Sequence, residues 1–233
     1  MERGKKDVLS DVCIVVFGPV AAGKSSLVRE VALSLAKTTA RNVRVRVLEE
    51  PTEFLRTSGQ LEKLKNNETG AALALQLSTL FARLRVSQNT AKASHEDGPR
   101  VRTVYLCDGH GDLDGHLYLS EHVRAGRLKL EDLTVYFHAK DVAASLEPIA
   151  ALRNPDLFVY LRASSATCAA QCKARGRAEE GALDESFFAR MIKSCNDAAM
   201  MRKERCLVVD ADADSGRSAS AAVASEIRKA FFV

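Results

Sequence analysis

The stretch Phe17-Gly18-Pro19-Val20-Ala21-Ala22-Gly23-Lys24-Ser25-Ser26 satisfies the pattern G-x-x-x-x-G-K-[ST], and nothing else in the 233 residues restricts the fold so tightly. It lies between an apolar run, Val12 to Phe17, and an amphipathic segment, Ser25 to Leu35, which is the strand-loop-helix setting that gives the pattern meaning. Gly18 and Gly23 lack the Cβ that would block close approach of a ligand, so the amides of Ala21, Ala22, Gly23, Lys24, Ser25 and Ser26 can converge on phosphate oxygens at a helix N-terminus. Lys24 adds a mobile positive charge for the β and γ phosphates, and Ser25 offers a hydroxyl to Mg2+. A nucleoside polyphosphate is the ligand this implies.

The length fits one α/β domain, taken as residues 1–233. With 34 basic against 30 acidic residues and the arginines scattered, there is no basic stripe of the kind nucleic acid requires. The six cysteines form no C-x-x-C pair and mostly lie in apolar segments, so they read as reduced core thiols. The charged start, Met1 to Asp7, lacks a signal-peptide core, and no stretch approaches the length of a membrane span. The expectation is a soluble cytoplasmic protein without membrane or nucleic-acid partners.

Along the chain, Val12 to Phe17, Val43 to Leu48, Thr103 to Cys107, Asp156 to Leu161 and Cys206 to Val209 read as strands. Helices are predicted over Lys24 to Lys37, Thr69 to about Asn89, Asp112 to Arg124, Leu130 to Leu146, Ala163 to Lys173, Leu183 to Lys203 and Arg217 to Phe231, with Ala91 to Arg102 as an exposed loop. Five strands alternating with helices define a doubly wound parallel sheet, in which ligands gather beyond the carboxyl ends of the strands. Three polar endings meet there: the glycine-rich loop, Glu49-Glu50 and Asp108. A carboxylate facing the terminal phosphate suggests a base for an acceptor hydroxyl. Gln76 and Arg83, seven residues apart, emerge from one helix face, where a buried amide and guanidinium need a polar partner.

Taken in order, these motifs make the chain resemble the deoxynucleoside kinase family, the group that includes deoxycytidine, deoxyguanosine and mitochondrial thymidine kinases. The likeness runs from about residue 11 to 232. It implies a P-loop kinase fold and transfer of the ATP γ-phosphoryl group to a deoxynucleoside 5′-hydroxyl. Glu50-Pro51 resembles the family's Glu-Pro pair, which makes Glu50 the base; Gln76 matches a base-reading glutamine and Asp108 the acidic residue of an E-R-S motif. Glu121 to Leu128 is similar to the helix and turn that follow in the family. Arg175-Gly176-Arg177-Ala178-Glu179-Glu180 resembles the lid, about 174–182, whose Arg175 and Arg177 clamp donor phosphates while Glu180 approaches the sugar 3′-hydroxyl. Asp114 stands where the deoxycytidine and deoxyguanosine branch pairs an aspartate with the equivalent of Arg83, which favours deoxycytidine or a purine deoxynucleoside over thymidine. Ser25 and, through water, Asp108 would position Mg2+, and a homodimer through the helices around 69–90 and 114–146 is implied.

The departures from that pattern are specific. Asp108-Gly109-His110 replaces E-R-S, and Gly115 stands at the next family arginine, leaving His110 and His116 as candidate cations. Leu55 and Lys65 occupy places where the family carries aromatic residues. Two alternatives stay open: a thymidylate-type nucleoside-monophosphate kinase, which would need cations that Gly109 and Gly115 do not supply, and a non-catalytic P-loop nucleotide-binding or assembly subunit.

Overall fold

Strand β1, Val12–Phe17, has no polar side chain and all six of its residues are buried, which dictates a central position covered on both faces. The computed structural model describes residues 10–38, 43–95, 102–181, 183–212 and 216–232. Helix α1, Lys24–Thr38, returns the chain to β2, Val43–Leu48, whose alternating VRVRVL pattern suits an edge strand. Two short helices follow, α2 Thr52–Thr57 and α3 Gln60–Lys65, and then the long α4, Ala71–His95. Strand β3, Arg102–Asp108, leads into α5, Gly111–Asp114, a wide π turn over Gly115–Leu119, and α6, Ser120–Arg124. After α7, Leu130–Ser145, and α8, Ala150–Arg153, comes β4, Leu157–Arg162. The chain closes with α9, Ser165–Arg175, α10, Glu185–Met201, β5, Cys206–Asp210, and α11, Gly216–Phe231.

The strands are ordered β2-β3-β1-β4-β5 and all adjacent pairs run parallel. The chain builds β2 and β3 on one side of β1 before crossing to β4 and β5 on the other. Its winding therefore reverses beside β1, and the crevice at that reversal is where the phosphate loop leaves the strand. The two-residue period of β1 divides the core. Val12, Ile14 and Val16 pack with Leu27, Val31 and Leu35 of α1 and Val223 and Ile227 of α11, whereas Cys13, Val15 and Phe17 pack with Leu113, Leu117, Met191 and Cys195 on the opposite face. All six cysteines are free, and burial pushes the Cys168 and Cys172 thiols up to about 11 and Cys195 to about 12.

The fold corrects the sequence reading in three places. Ala91 to His95, expected in a loop, continues α4: alanine favours the helix, and the Ser94 hydroxyl bonds the Thr90 carbonyl at 2.9 Å within it. The rest of the expected loop with its Gly98-Pro99 lies outside the described residues. Helices α2, α3 and α8 were not anticipated, since six or four residues are too few to show an apolar period. The single helix expected over Asp112 to Arg124 is interrupted by the π turn at Gly115, where an added Cβ would come within 3.0 Å of the Tyr136 hydroxyl oxygen on α7. Glycine at 115 thus serves close helix packing.

Candidate active site

The phosphate loop threads between β1 and the neighbouring β4. A Cβ on Gly18 would lie 2.4 Å from the Leu161 carbonyl oxygen, so only glycine permits that approach. Ala21 at φ 62° and Gly23 at φ 96° adopt the left-handed region between residues of ordinary hand, the alternation that turns successive amides toward one hollow. At the mouth of that hollow the Lys24 ammonium donates to the carbonyl oxygens of Gly18 at 3.2 Å and Pro19 at 2.9 Å.

Ser25, in the first turn of α1, donates from its hydroxyl to Asp108 Oδ2 at 2.5 Å. Asp108 closes β3 opposite Val16, with its side chain buried. Burial raises the carboxyl above its usual range, against the opposing pull of Lys24 and the Ser25 hydrogen bond. Its other oxygen, Oδ1, is buried without a hydrogen-bond partner among the described residues. A hydroxyl and an under-coordinated carboxylate beside a phosphate hollow are the hard oxygen donors that Mg2+ accepts, together with phosphates and water. Among the described residues no three His, Cys, Asp or Glu side chains converge into an all-protein metal cage.

The two glutamates that end β2 separate as adjacent residues of an extended chain must. Glu49 turns outward to Arg29, at 3.0 and 3.2 Å, in an exposed pair of little energetic weight. Glu50, half-buried, enters a cleft of about 980 Å³ whose walls also include Lys24 and Ser25. The same cleft is lined by Ala21, Gly23, Ser26, Gln76, Asp114, Arg175, Arg177 and Glu180, so most residues singled out from the sequence meet there. Gly18 and Ala22 shape the loop from behind, and Asp108 reaches the site through Ser25.

Arg83 pairs with Asp114, its Nε donating to Oδ2 at 2.6 Å, as the family likeness implied. Its position differs from that of Gln76, however: Arg83 lines a separate cavity of about 200 Å³ beside Gly109. Both members of the pair are nearly buried, at 14% and 11% side-chain exposure, so deleting either alone would strand a charge at a cost of about 3–5 kcal/mol. Burial depresses the Arg83 guanidinium, but Asp114, Glu50 and Asp108 outweigh it and hold the pKa above its usual value. Neither candidate histidine supplies a cation to the cleft: His110 Nε2 is engaged with the Leu152 carbonyl at 2.8 Å, and His116 is exposed.

The lid sits where α9 ends. Gly176 at φ 64° terminates the helix, its amide reaching the Cys172 and Lys173 carbonyls, each at 3.2 Å. Beyond it Ala178–Glu180 forms one 3₁₀ turn. Glu180 accepts from Arg175 at 2.5 and 3.1 Å, from Arg177 at 3.4 Å and from the Cys172 thiol at 3.0 Å. Burial alone would raise its pKa; these partners turn the net shift downward.

Several cleft residues were missed from the sequence. Tyr118, on the π turn, brings an aromatic ring to the cleft, which Leu55 and Lys65 also line. Glu121, buried on α6, accepts from Arg190 at 2.8 Å and is also paired with Arg124. The Gln76 amide nitrogen lies 3.3 Å from Nε2 of the buried His122. Burial, then Arg127, lowers the His122 pKa to about 4, so the ring is neutral near pH 7. The only sequence signal for these residues was the Glu121 to Leu128 likeness, which says nothing of which side chains face inward.

A parallel sheet in this order, a phosphate loop at its reversal point and an arginine-bearing turn over the same cleft define a P-loop kinase. The deoxynucleoside kinase family model matches residues 14–232, and the chain belongs to that family of kinases. Solved structures of similar fold include a deoxyadenosine kinase from M. mycoides with bound dCTP, at 19% identity and TM-score 0.71, covering 94% of this chain and 100% of that one. The same enzyme with dCMP and a flexible dCDP as products matches at 20% identity and TM-score 0.70, with 94% and 100% covered. With bound dATP it matches at 18% identity and TM-score 0.64, covering 93% and 99%. No curated protein sequence matches the chain. No helix among the described residues is long and apolar enough to cross a membrane.

Proposed function

We propose that this kinase transfers the γ-phosphoryl group of ATP to the 5′-hydroxyl of a deoxynucleoside, with deoxycytidine or a purine deoxynucleoside favoured over thymidine. The observation that carries the reading is the entry of Glu50 into the cleft that Lys24 and Ser25 also line. Glu50 accepts the proton of the attacking hydroxyl, and the loop amides and Lys24 hold the β and γ phosphates. Arg175 and Arg177 approach from the lid and balance charge that spreads onto the transferring group. Ser25 and, through water, Asp108 are the residues that would hold Mg2+, which would supply charge neutralisation to the polyphosphate.

Gln76 and Asp114 present an amide and a carboxylate on the wall that would receive the base, with Arg83 anchoring Asp114. The glycines at 109 and 115 leave that wall without side-chain cations at those positions, which suits an uncharged acceptor better than a monophosphate. A homodimer in a cytoplasmic setting accompanies the reading. It is supported by Phe81 on α4 and Val135, Phe137 and Val142 on α7, which are between 44% and 51% exposed on helices packed against each other.

A coupled ATP-consumption assay over the four deoxynucleosides, their ribose counterparts and the monophosphates tests the proposal. Turnover is expected with deoxynucleosides, and Glu50→Gln is expected to lower it about 10²- to 10⁴-fold while nucleoside binding persists. Turnover with monophosphates alone would move the chain to the monophosphate-kinase class. ATP binding without product from any acceptor would make it a nucleotide-binding subunit.

A further inference from the structure

Gln76 on α4 and His122 on α6 both line the cleft, each is 5% exposed, and the Gln76 amide nitrogen lies 3.3 Å from His122 Nε2. The backbone fixes where the ring stands. The His122 carbonyl accepts from the amides of Arg127 at 2.8 Å and Leu128 at 3.3 Å, and Leu128 is packed in one buried cluster with Ala72 of α4. On the far side of the ring, Nδ1 is buried without a hydrogen-bond partner among the described residues.

The ring is neutral near pH 7, so it carries one N–H and one lone pair. A carboxamide can meet it with either end, because a half-turn about its last bond exchanges nitrogen and oxygen and moves nothing else. Two polarities of the contact follow. With the proton on Nδ1, Nε2 accepts from the Gln76 NH2 group, and a buried N–H is left with nothing to donate to. With the proton on Nε2, the ring donates to Gln76 Oε1, and Nδ1 keeps only an unfilled lone pair. An orphaned buried donor is the rarer defect in folded proteins, which favours the second polarity.

We propose that His122 is a positioning residue for Gln76: its Nε2–H holds the carboxamide oxygen and turns the NH2 group toward the cleft, which selects bases whose pairing-edge ring nitrogen is an acceptor. Cytosine, at N3, and adenine, at N1, meet that condition; thymine N3 and guanine N1 carry a hydrogen and set donor against donor. The inference rests on the proposed deoxynucleoside reaction, with Gln76 facing the base, and narrows its acceptor to deoxycytidine or deoxyadenosine.

Nitrogen NMR of the wild-type protein with 15N-labelled histidine tests the polarity without reference to activity. Near neutral pH the His122 proton is expected on Nε2; a proton on Nδ1 overturns the proposal. Selectivity is then read as kcat/KM for the four deoxynucleosides. His122→Leu removes the donor that orients the amide, so the preference for deoxycytidine over thymidine and for deoxyadenosine over deoxyguanosine is expected to fall about 10-fold, with kcat for deoxycytidine within about threefold. Equal losses for every acceptor make His122 a packing residue and overturn the idea. Should His122→Leu fail to fold, Gln76→Glu decides: it keeps an oxygen for His122 but turns a second oxygen to the cleft, so thymidine and deoxyguanosine are expected to gain on their rivals, and an unchanged order of preference overturns the proposal. If the wild type phosphorylates no deoxynucleoside, the proposed reaction fails by itself, and the ring spectrum still decides which end of Gln76 is held by His122.

Discussion

The two walls of the cleft are built on different physics. The wall proposed to hold the donor, from Phe17 through α1, is built largely of backbone: a glycine against Leu161, left-handed turns at Ala21 and Gly23, and a lysine folded onto carbonyl oxygens. The wall proposed to face the acceptor, from α4 through α6, presents polar side chains each held by a partner: Asp114 by Arg83 behind it, Gln76 by His122, and the buried Glu121 by Arg190 of α10. A backbone cradle needs few residue types and tolerates change around it. A wall of buried pairs is specific, because each member left alone is costly.

That contrast can be broken by experiment. Lys24→Met removes the side-chain cation beside the phosphate loop; turnover is expected to fall at least about 10³-fold with Tm nearly unchanged, measured by steady-state assay and calorimetry. Gln76→Leu strikes a pair on the other wall. Here kcat/KM for the preferred deoxynucleoside should drop about 10- to 100-fold while KM for ATP stays the same, and equal losses for every acceptor would deny that wall its selectivity. Gly18→Ala forces a Cβ onto the Leu161 carbonyl oxygen, so an unfolding titration should show a loss of about 1–3 kcal/mol together with weaker ATP binding.

The smallest effect concerns acid. The His122 pKa falls from 6.5 to about 4 on folding. The unfolded chain therefore takes up a proton in that window before the native protein does, and stability that is complete above pH 6.5 is lost as pH falls toward 4. Between about pH 7 and pH 5 the loss from this group is about 2 kcal/mol. Melting curves of His122→Gln should be flatter over that range than those of the wild type.

The same contrast governs what the sequence discloses. The donor wall is local: β1, the loop and α1 follow one another, and hydrophobic runs and a spaced motif place them almost residue by residue. β2 and the Glu50 that follows it are legible for the same reason, and so is the Arg83–Asp114 pair, given the family likeness. What stayed hidden depends on geometry that periodicity does not encode. The π turn at Gly115–Leu119 adds residues to a helical turn and rotates everything after it, so Tyr118, Glu121 and His122 reach the cleft from positions that an even 3.6-residue wheel misplaces. Likewise Gly109 reads as a loss until the structure shows Arg83 in the space it frees. The short helices α2 and α3 contribute Leu55, Leu61, Leu64 and Lys65 to the cleft without any pattern that sequence reasoning detects.

The lid carries its own stand-in for a nucleotide. Glu180 already holds Arg175 and Arg177, so if these arginines clamp a polyphosphate as proposed, the polyphosphate competes with a built-in rival for their grip. Under the proposed reaction a triphosphate, with its larger charge, wins that contest by more than the diphosphate left after transfer. The arginines then return to Glu180 as the spent donor loosens, and an internal carboxylate becomes a device for turnover: it discourages tight retention of the product at the step where the site must empty.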